Sequence, residues 1–299
     1  MFKKFSFAKN WFVLLFAALM VVSLTVPAAA AHGDKRPVKI GILLVAFGTS
    51  VPEAQAAFKN IEDKVKAAFP GVEVRWAYTS KIIRNKLAKQ GQMLDSPTVA
   101  LARMADDDFT HVAVQSLHTI PGEEYTYLVE TARAMEGQPK GIQKILVGYP
   151  LLATADDLEK ATQAIMAVIP KERKKDEAVI LMGHGTHHPS NAYYPAMQYY
   201  FWKHDPLVLV GTVEGSPSLD DVQAELKKRG VKKAYLMPFM SVAGDHALND
   251  MAGDEPDSWK SVLTKAGVEC VPILKGTAEY DAIVDLWVDH LKVAMSHFK

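Results

Sequence analysis

AVILMGHGTHH (178–188) starts as an unbroken apolar run and stops in Gly-His-Gly, followed by two more of the chain's ten histidines. An apolar run of this length, bounded by glycine, reads as a β-strand buried on both faces, as in a parallel sheet covered by helices. Working outward, runs of the same kind recur: VKIGILLVAF (38–47), VEVRWAY (72–78), HVAVQSL (111–117), KILVGYP (144–150), LVLVGTV (207–213), KAYLMPF (233–239) and VECVPIL (268–274). Stretches with helical spacing lie between them, such as 52–69 with Ala56, Ala57, Val65 and Phe69 as apolar points. Strands alternating with helices predict an α/β fold with parallel sheets.

The pattern is written twice. AFGTS (46–50) echoes GHGTH (183–187), Gly91 after KLAKQ echoes Gly230 after LKKR, and SLHTIPGEE (116–124) echoes PFMSVAGDH (238–246). YPLLATADD (149–157) echoes ILKGTAEYD (273–281) more loosely. The segment 92–108 separates helix from strand in the first half and has no counterpart in the second. An internal duplication follows: two similar doubly wound parallel-sheet lobes, 34–150 and 151–299, facing each other across a cleft. The last helix of each repeat, about 155–168 and 278–297, is a candidate to cross to the other lobe.

The first 31 residues stand apart. Lys3, Lys4 and Lys9 precede the apolar stretch WFVLLFAALMVV (11–22), and small residues follow at Ala28 and Ala30. This is the pattern of a secretory signal peptide with an A-x-A cleavage site. The alternative is a membrane anchor, but a span takes about 20 apolar residues and the alanine run favours cleavage. The mature chain is expected to be periplasmic, with no membrane contact after cleavage. Basic and acidic side chains number 34 each, so no charge field draws the protein to nucleic acid. The single cysteine, Cys270, excludes an internal disulfide, cysteine-based zinc sites and covalent haem through C-x-x-C-H. It sits in an apolar run and reads as a small core residue.

In open parallel sheets, ligands bind outside the carboxyl ends of the strands. In the second lobe, three polar residues stand just past different strand ends: His184, Glu214 and His246, flanked by Gly183, Gly185, Gly215 and Gly244. Two imidazoles and a carboxylate suit a borderline divalent metal ion. The alternative is that each histidine satisfies a loop carbonyl, which three successive strand ends make less economical. In the first lobe Phe47 stands at the place of His184, Glu124 at that of His246, and His118 at that of Met240. His118, Glu123 and Glu124 are candidates to face the cleft, although Glu123 and Glu124 also suit the start of a helix. His187 and His188 precede a loop and helix rich in aromatics, and read either as a wall for a flat conjugated ligand or as surface packing.

GHGTHH (183–188), GTVEG (211–215), MSVAGDHALNDMAGDEPDSWK (240–260) and ILLVAFGTS (42–50) together resemble the class II chelatases, which work without ATP, and most of all the sirohydrochlorin cobaltochelatases of the anaerobic pathway. The resemblance spans essentially the whole mature chain. It implies insertion of Co2+, with Fe2+ as the other candidate, into a tetrapyrrole in cobalamin or porphyrin biosynthesis. It also implies that His184, Glu214 and His246 bind the metal, with His184 and His246 catalytic. The leader departs from the resemblance, because these pathways are cytoplasmic.

Sirohydrochlorin carries eight carboxylates, so its pocket needs cations and N–H donors at the rim. Lys81 and Arg84, and the backbone of Gly48, Thr49 and Ser50 near a helix start, are the candidates; an ordinary solvated helix face is the alternative for Lys81 and Arg84. Because metal competes with protons for imidazole, binding is expected to fail in acid. A homo-oligomer is expected, and the sequence leaves room for a non-covalent haem on another histidine such as His111. Two rival readings remain at this point. One is a periplasmic metal- or tetrapyrrole-binding transport protein without chelatase activity. The other, a histidine phosphatase, usually needs an arginine beside its histidine, and here Met182-Gly183 precedes His184.

Overall fold

The computed structural model describes residues 36–298; the expected signal peptide lies outside the described residues. Two four-stranded sheets carry the fold. The first contains β1 (Ile40–Ala46), β2 (Glu73–Tyr78), β3 (His111–Ser116) and β4 (Lys144–Gly148) in the order β2-β1-β3-β4. The second contains β5 (Ala178–Gly183), β6 (Val208–Thr212), β7 (Lys233–Pro238) and β8 (Glu269–Pro272) in the order β6-β5-β7-β8. Every pairing is parallel, and the two orders are the same arrangement repeated. Every residue of the central strand β5 is buried. Covering Val179, Ile180 and Leu181 stabilises the fold by about 1.5–3 kcal/mol each.

Nine α-helices among the described residues connect the strands: α1 (Ala56–Ala68), α2 (Lys81–Lys89), α3 (Pro97–Asp106), α4 (Glu123–Met135), α5 (Ala155–Val168), α6 (Tyr193–Trp202), α7 (Leu219–Arg229), α8 (Trp259–Lys265) and α9 (Asp281–Ser296). Helix α3 occupies most of the segment that has no counterpart in the second repeat. Capping boxes start α5 and α7, with Thr154 and Ser218 accepting from the third residue and Asp157 and Asp221 reaching back. The duplication is visible in backbone angles. Gly48 and Gly185 both take positive φ, at 101° and 79°, and so do Gly91 and Gly230, at 81° and 69°.

From Val38 onward the chain is one compact unit. One hydrophobic cluster runs through both lobes and includes Ile42 and Leu44 with Val179, Leu181 and Trp287. The terminal helices exchange. Helix α9 packs on β3, β4 and α1 of the first lobe, and α5 packs on α6 of the second. Strand-end loops also meet crosswise. A Cβ on Gly244 would stand 3.5 Å from Thr49 Oγ1, and one on Gly122 would stand 3.4 Å from Ser190 Oγ. Because Gly122 and Gly244 are matched positions of the repeat, each lobe offers the same loop to the other.

His290 on α9 locks this exchange. Its Nδ1 lies 3.1 Å from the Tyr149 carbonyl at the end of β4, and its Nε2 lies 3.0 Å from Asp157 Oδ1 on α5. Burial alone would raise the Asp157 carboxyl, but hydrogen bonds from His290 and Thr154 outweigh it and hold the pKa below the ordinary range. A depressed carboxylate stabilises the fold above its unfolded pKa of about 3.9 and loses that contribution as pH falls through the folded value. His290→Ala is therefore expected to cost about 1.5–3 kcal/mol at pH 7, the range for hydrogen bonds to charged groups, and much less near pH 3. Urea unfolding at the two pH values measures this; an equal loss at both would count against it.

Candidate active site

The site is built where β5, β6 and β7 end. Gly183 closes β5 against the Tyr194 ring, where a Cβ would come within 2.3 Å of that ring. The chain then turns through His184 and Gly185. The backbone N–H groups of Val213 and Glu214 donate to the carbonyls of Gly183 and His184 at 3.1 and 2.7 Å, which extends the β5–β6 pairing past the strands. Glu214 is thereby fixed at its backbone, while its side chain is exposed. Asn191 fastens the same two loops. Its Oδ1 accepts from the Thr186 N–H at 3.2 Å, and its Nδ2 donates to the Ser216 carbonyl at 2.7 Å.

His184 and His246 face each other edge to face, with ring centroids 4.7 Å apart and planes at 89°. Each has its Nδ1 engaged. His184 Nδ1–H donates to the Gly185 carbonyl at 2.9 Å, and His246 Nδ1–H donates to Asp250 Oδ2 at 2.5 Å. A carbonyl and a carboxylate accept only, so in the neutral form of each ring the proton sits on Nδ1 and Nε2 carries the lone pair that a metal ion needs. Both rings are half-buried, which leaves them open to an incoming ligand.

The structure thus brings His184 and His246 together and sets the Glu214 backbone beside His184. It does not gather three side chains round one point: among the described residues, no three His, Cys, Asp or Glu side chains stand close enough to hold a metal ion. The exposed Glu214 carboxylate is not drawn onto the imidazole pair in this conformation.

The other expected residues divide. His188 Nδ1 accepts from the Ser190 N–H at 3.2 Å and lies 2.9 Å from Ser190 Oγ, so this ring caps the short 3-10 turn Pro189–Ala192. His187 beside it is exposed. His118 Nδ1 lies 2.8 Å from Ser116 Oγ, while its Nε2 is buried without a partner. Burial pushes this imidazole down to about 4, so it stays neutral. Although part of its surface remains accessible, the nitrogen that would do chemistry is closed off.

Thr49 is buried and its Oγ1 accepts from the Val51 N–H at 3.1 Å. Gly48 backs onto the Tyr78 ring, which a Cβ would approach to 2.5 Å. Ser50 is half-buried, and Val51 and Pro52 separate it from a 3-10 turn, Glu53–Gln55, that leads into α1. Lys81 opens α2 and is exposed; Arg84, one turn on, is half-buried with an unpartnered Nε. Glu123 and Glu124 lie in the first turn of α4, where Glu123 Oε1 accepts from Tyr127 Oη at 2.6 Å. His111 starts β3, at the amino end of an interior strand, with its ring against Phe298.

Two participants were not singled out from sequence. Asp250 stands four residues after His246, a spacing that reads as one helix face. Asn191 carries no signal beyond lying in a polar loop.

Comparison with known proteins agrees with this architecture. The family model described as cobalt chelatase (CbiK) matches residues 40–296. Sirohydrochlorin cobaltochelatase CbiKC of Nitratidesulfovibrio vulgaris is 47% identical over 258 residues, covering 86% of this chain and 91% of that protein. Sirohydrochlorin cobaltochelatase of Salmonella typhimurium is 36% identical over 262 residues, covering 86% and 97%. The solved structure of SirB from Bacillus subtilis with Fe3+ shares the fold, with a TM-score of 0.57 at 16% identity over 86% of this chain and 96% of that one. With its duplicated α/β lobes and paired strand-end imidazoles, the chain belongs to the CbiK family of cobalt chelatases.

Proposed function

We propose that this protein inserts Co2+ into sirohydrochlorin, without ATP, on the periplasmic side of the membrane, and that Fe2+ is an alternative substrate metal. The facing pair His184 and His246, each with Nδ1 engaged, carries this reading. The reaction joins M2+ to four ring nitrogens and releases two pyrrole protons. The two Nε2 atoms take the ion from water and replace part of its hydration shell. They hold it by few protein bonds, so it passes readily to four ring nitrogens. Glu214, anchored at its backbone beside His184 with its carboxylate in solvent, completes the metal's shell or carries protons out. Phe47, exposed at the position matched to His184, supplies an apolar wall for the flat ring. Lys81, exposed at the start of α2, and behind it Arg84 and the Gly48–Ser50 loop are the proposed partners of the ring's carboxylates.

Anaerobic incubation of the mature protein with sirohydrochlorin and Co2+ or Fe2+ tests the chemistry. The macrocycle's absorbance is expected to shift with catalytic turnover. Binding of metal and tetrapyrrole at a fixed stoichiometry, without turnover, would instead mark a transport protein. Residues 1–33 fused to a reporter that is active only after export test the location. Export is expected, and a reporter retained inside the cell would overturn the periplasmic assignment.

A further inference from the structure

We infer that Asp250 is a positioning residue that makes His246 the stronger of two unequal metal ligands. The inference rests on the proposed role of the imidazole pair. The two rings differ in what stands behind them: a neutral carbonyl, that of Gly185, for His184 and a carboxylate, that of Asp250, for His246. A carboxylate bound to one imidazole nitrogen fixes the ring and strengthens the other nitrogen as a donor.

Among the described residues, Asp250 has no competing occupation. Its neighbours of like charge are engaged elsewhere, Asp245 with Asn249 and Asp254 with Lys260. Among the described residues, the one ion-pair partner of Asp250 is His246. The backbone beneath it is unusual as well. Residues Ala247–Met251 form a π-helical turn, with the Ala252 N–H donating to the Ala247 carbonyl at 3.2 Å. Such turns are rare and cluster at functional sites. This one is closed by Gly253, where a Cβ would stand 2.4 Å from the Asn249 carbonyl oxygen. The turn carries Asp250 to the Nδ1 side of His246, whose ring stands edge to face with that of His184.

The test is anaerobic titration with Co2+ alone, read by visible absorbance and by competition with a chelator. It uses the mature wild-type protein, Asp250→Asn, Asp250→Ala, His184→Ala and His246→Ala. Asparagine keeps the shape and loses the charge, so Asp250→Asn is expected to weaken Co2+ binding about 10- to 100-fold, with alanine weaker still and both melting near wild type. His246→Ala is expected to lose more affinity than His184→Ala. Wild-type affinity and spectrum in Asp250→Asn would overturn the inference; should the alanine variant not fold, the asparagine variant decides. If that result comes while His246→Ala still loses cobalt, the imidazole pair stands and only the role of Asp250 falls. If His246→Ala also binds normally, the proposed metal site falls with it.

Discussion

Alanine at His184 or at His246 is expected to lower the rate of cobalt insertion at least ~10²-fold. Each substitution removes one of the two facing imidazoles whose rings stand 4.7 Å apart. A single remaining ring binds the ion weakly and no longer sets its direction of approach to the macrocycle. The two side chains act as one unit, so the double substitution is expected to fall little below either single one. Both are half-buried at the site's mouth rather than in the core, so melting temperatures are expected to stay near wild type. Initial rates with saturating sirohydrochlorin and varied Co2+ measure the effect. Either single variant working within twofold of wild type would remove the pair from the mechanism.

The features that were legible in the sequence are those set by burial. AVILMG reads as a strand because parallel strands are covered on both faces, and β5 spans those six residues. The echo between AFGTS and GHGTH is a repeated backbone turn, since Gly48 and Gly185 share a positive φ. The segment without a counterpart is an added helix, α3. The pairing of His184 with His246 was also legible, because strand order alone brings the ends of β5 and β7 side by side.

Direction and occupancy of side chains were not legible. His118 and His188 look like cleft histidines by position. Yet one is neutralised by burial and the other is spent capping a turn, and neither fact leaves a trace in residue type. Glu214 shows the converse. Its backbone is where strand spacing places it, but nothing in the spacing fixes where a flexible carboxylate points. The four-residue spacing of His246 and Asp250 is visible in the sequence, but periodicity does not register that the turn carrying it is π-helical. The contact of the Gly244 loop with Thr49 depends on two halves of the chain meeting.

Gly185→Ala is expected to cripple the site while leaving every metal-binding side chain in the sequence. Two effects combine. Gly185 holds φ at 79°, which costs a residue with a Cβ about 1–2 kcal/mol. The added Cβ would also stand 2.5 Å from the Glu214 carbonyl oxygen and 2.8 Å from Thr212 Cβ. The first of these is backbone held by the bond from the Glu214 N–H to the His184 carbonyl, so no side-chain rotation relieves it. Overpacking of this kind adds about 1–3 kcal/mol. The β5 and β6 loops must part, and His184 turns with them because its Nδ1–H is tied to the Gly185 carbonyl. A shift near 1 Å at a reacting centre is worth about 10²-fold in rate. Gly230→Ala is the control: its φ is 69°, but a Cβ there meets nothing within 4 Å. That change is expected to cost only the backbone contribution, about 1–2 kcal/mol, with normal turnover. Equal stability loss and equal activity in the two variants would show that the close approach of the Gly185 and Glu214 loops does not shape the site.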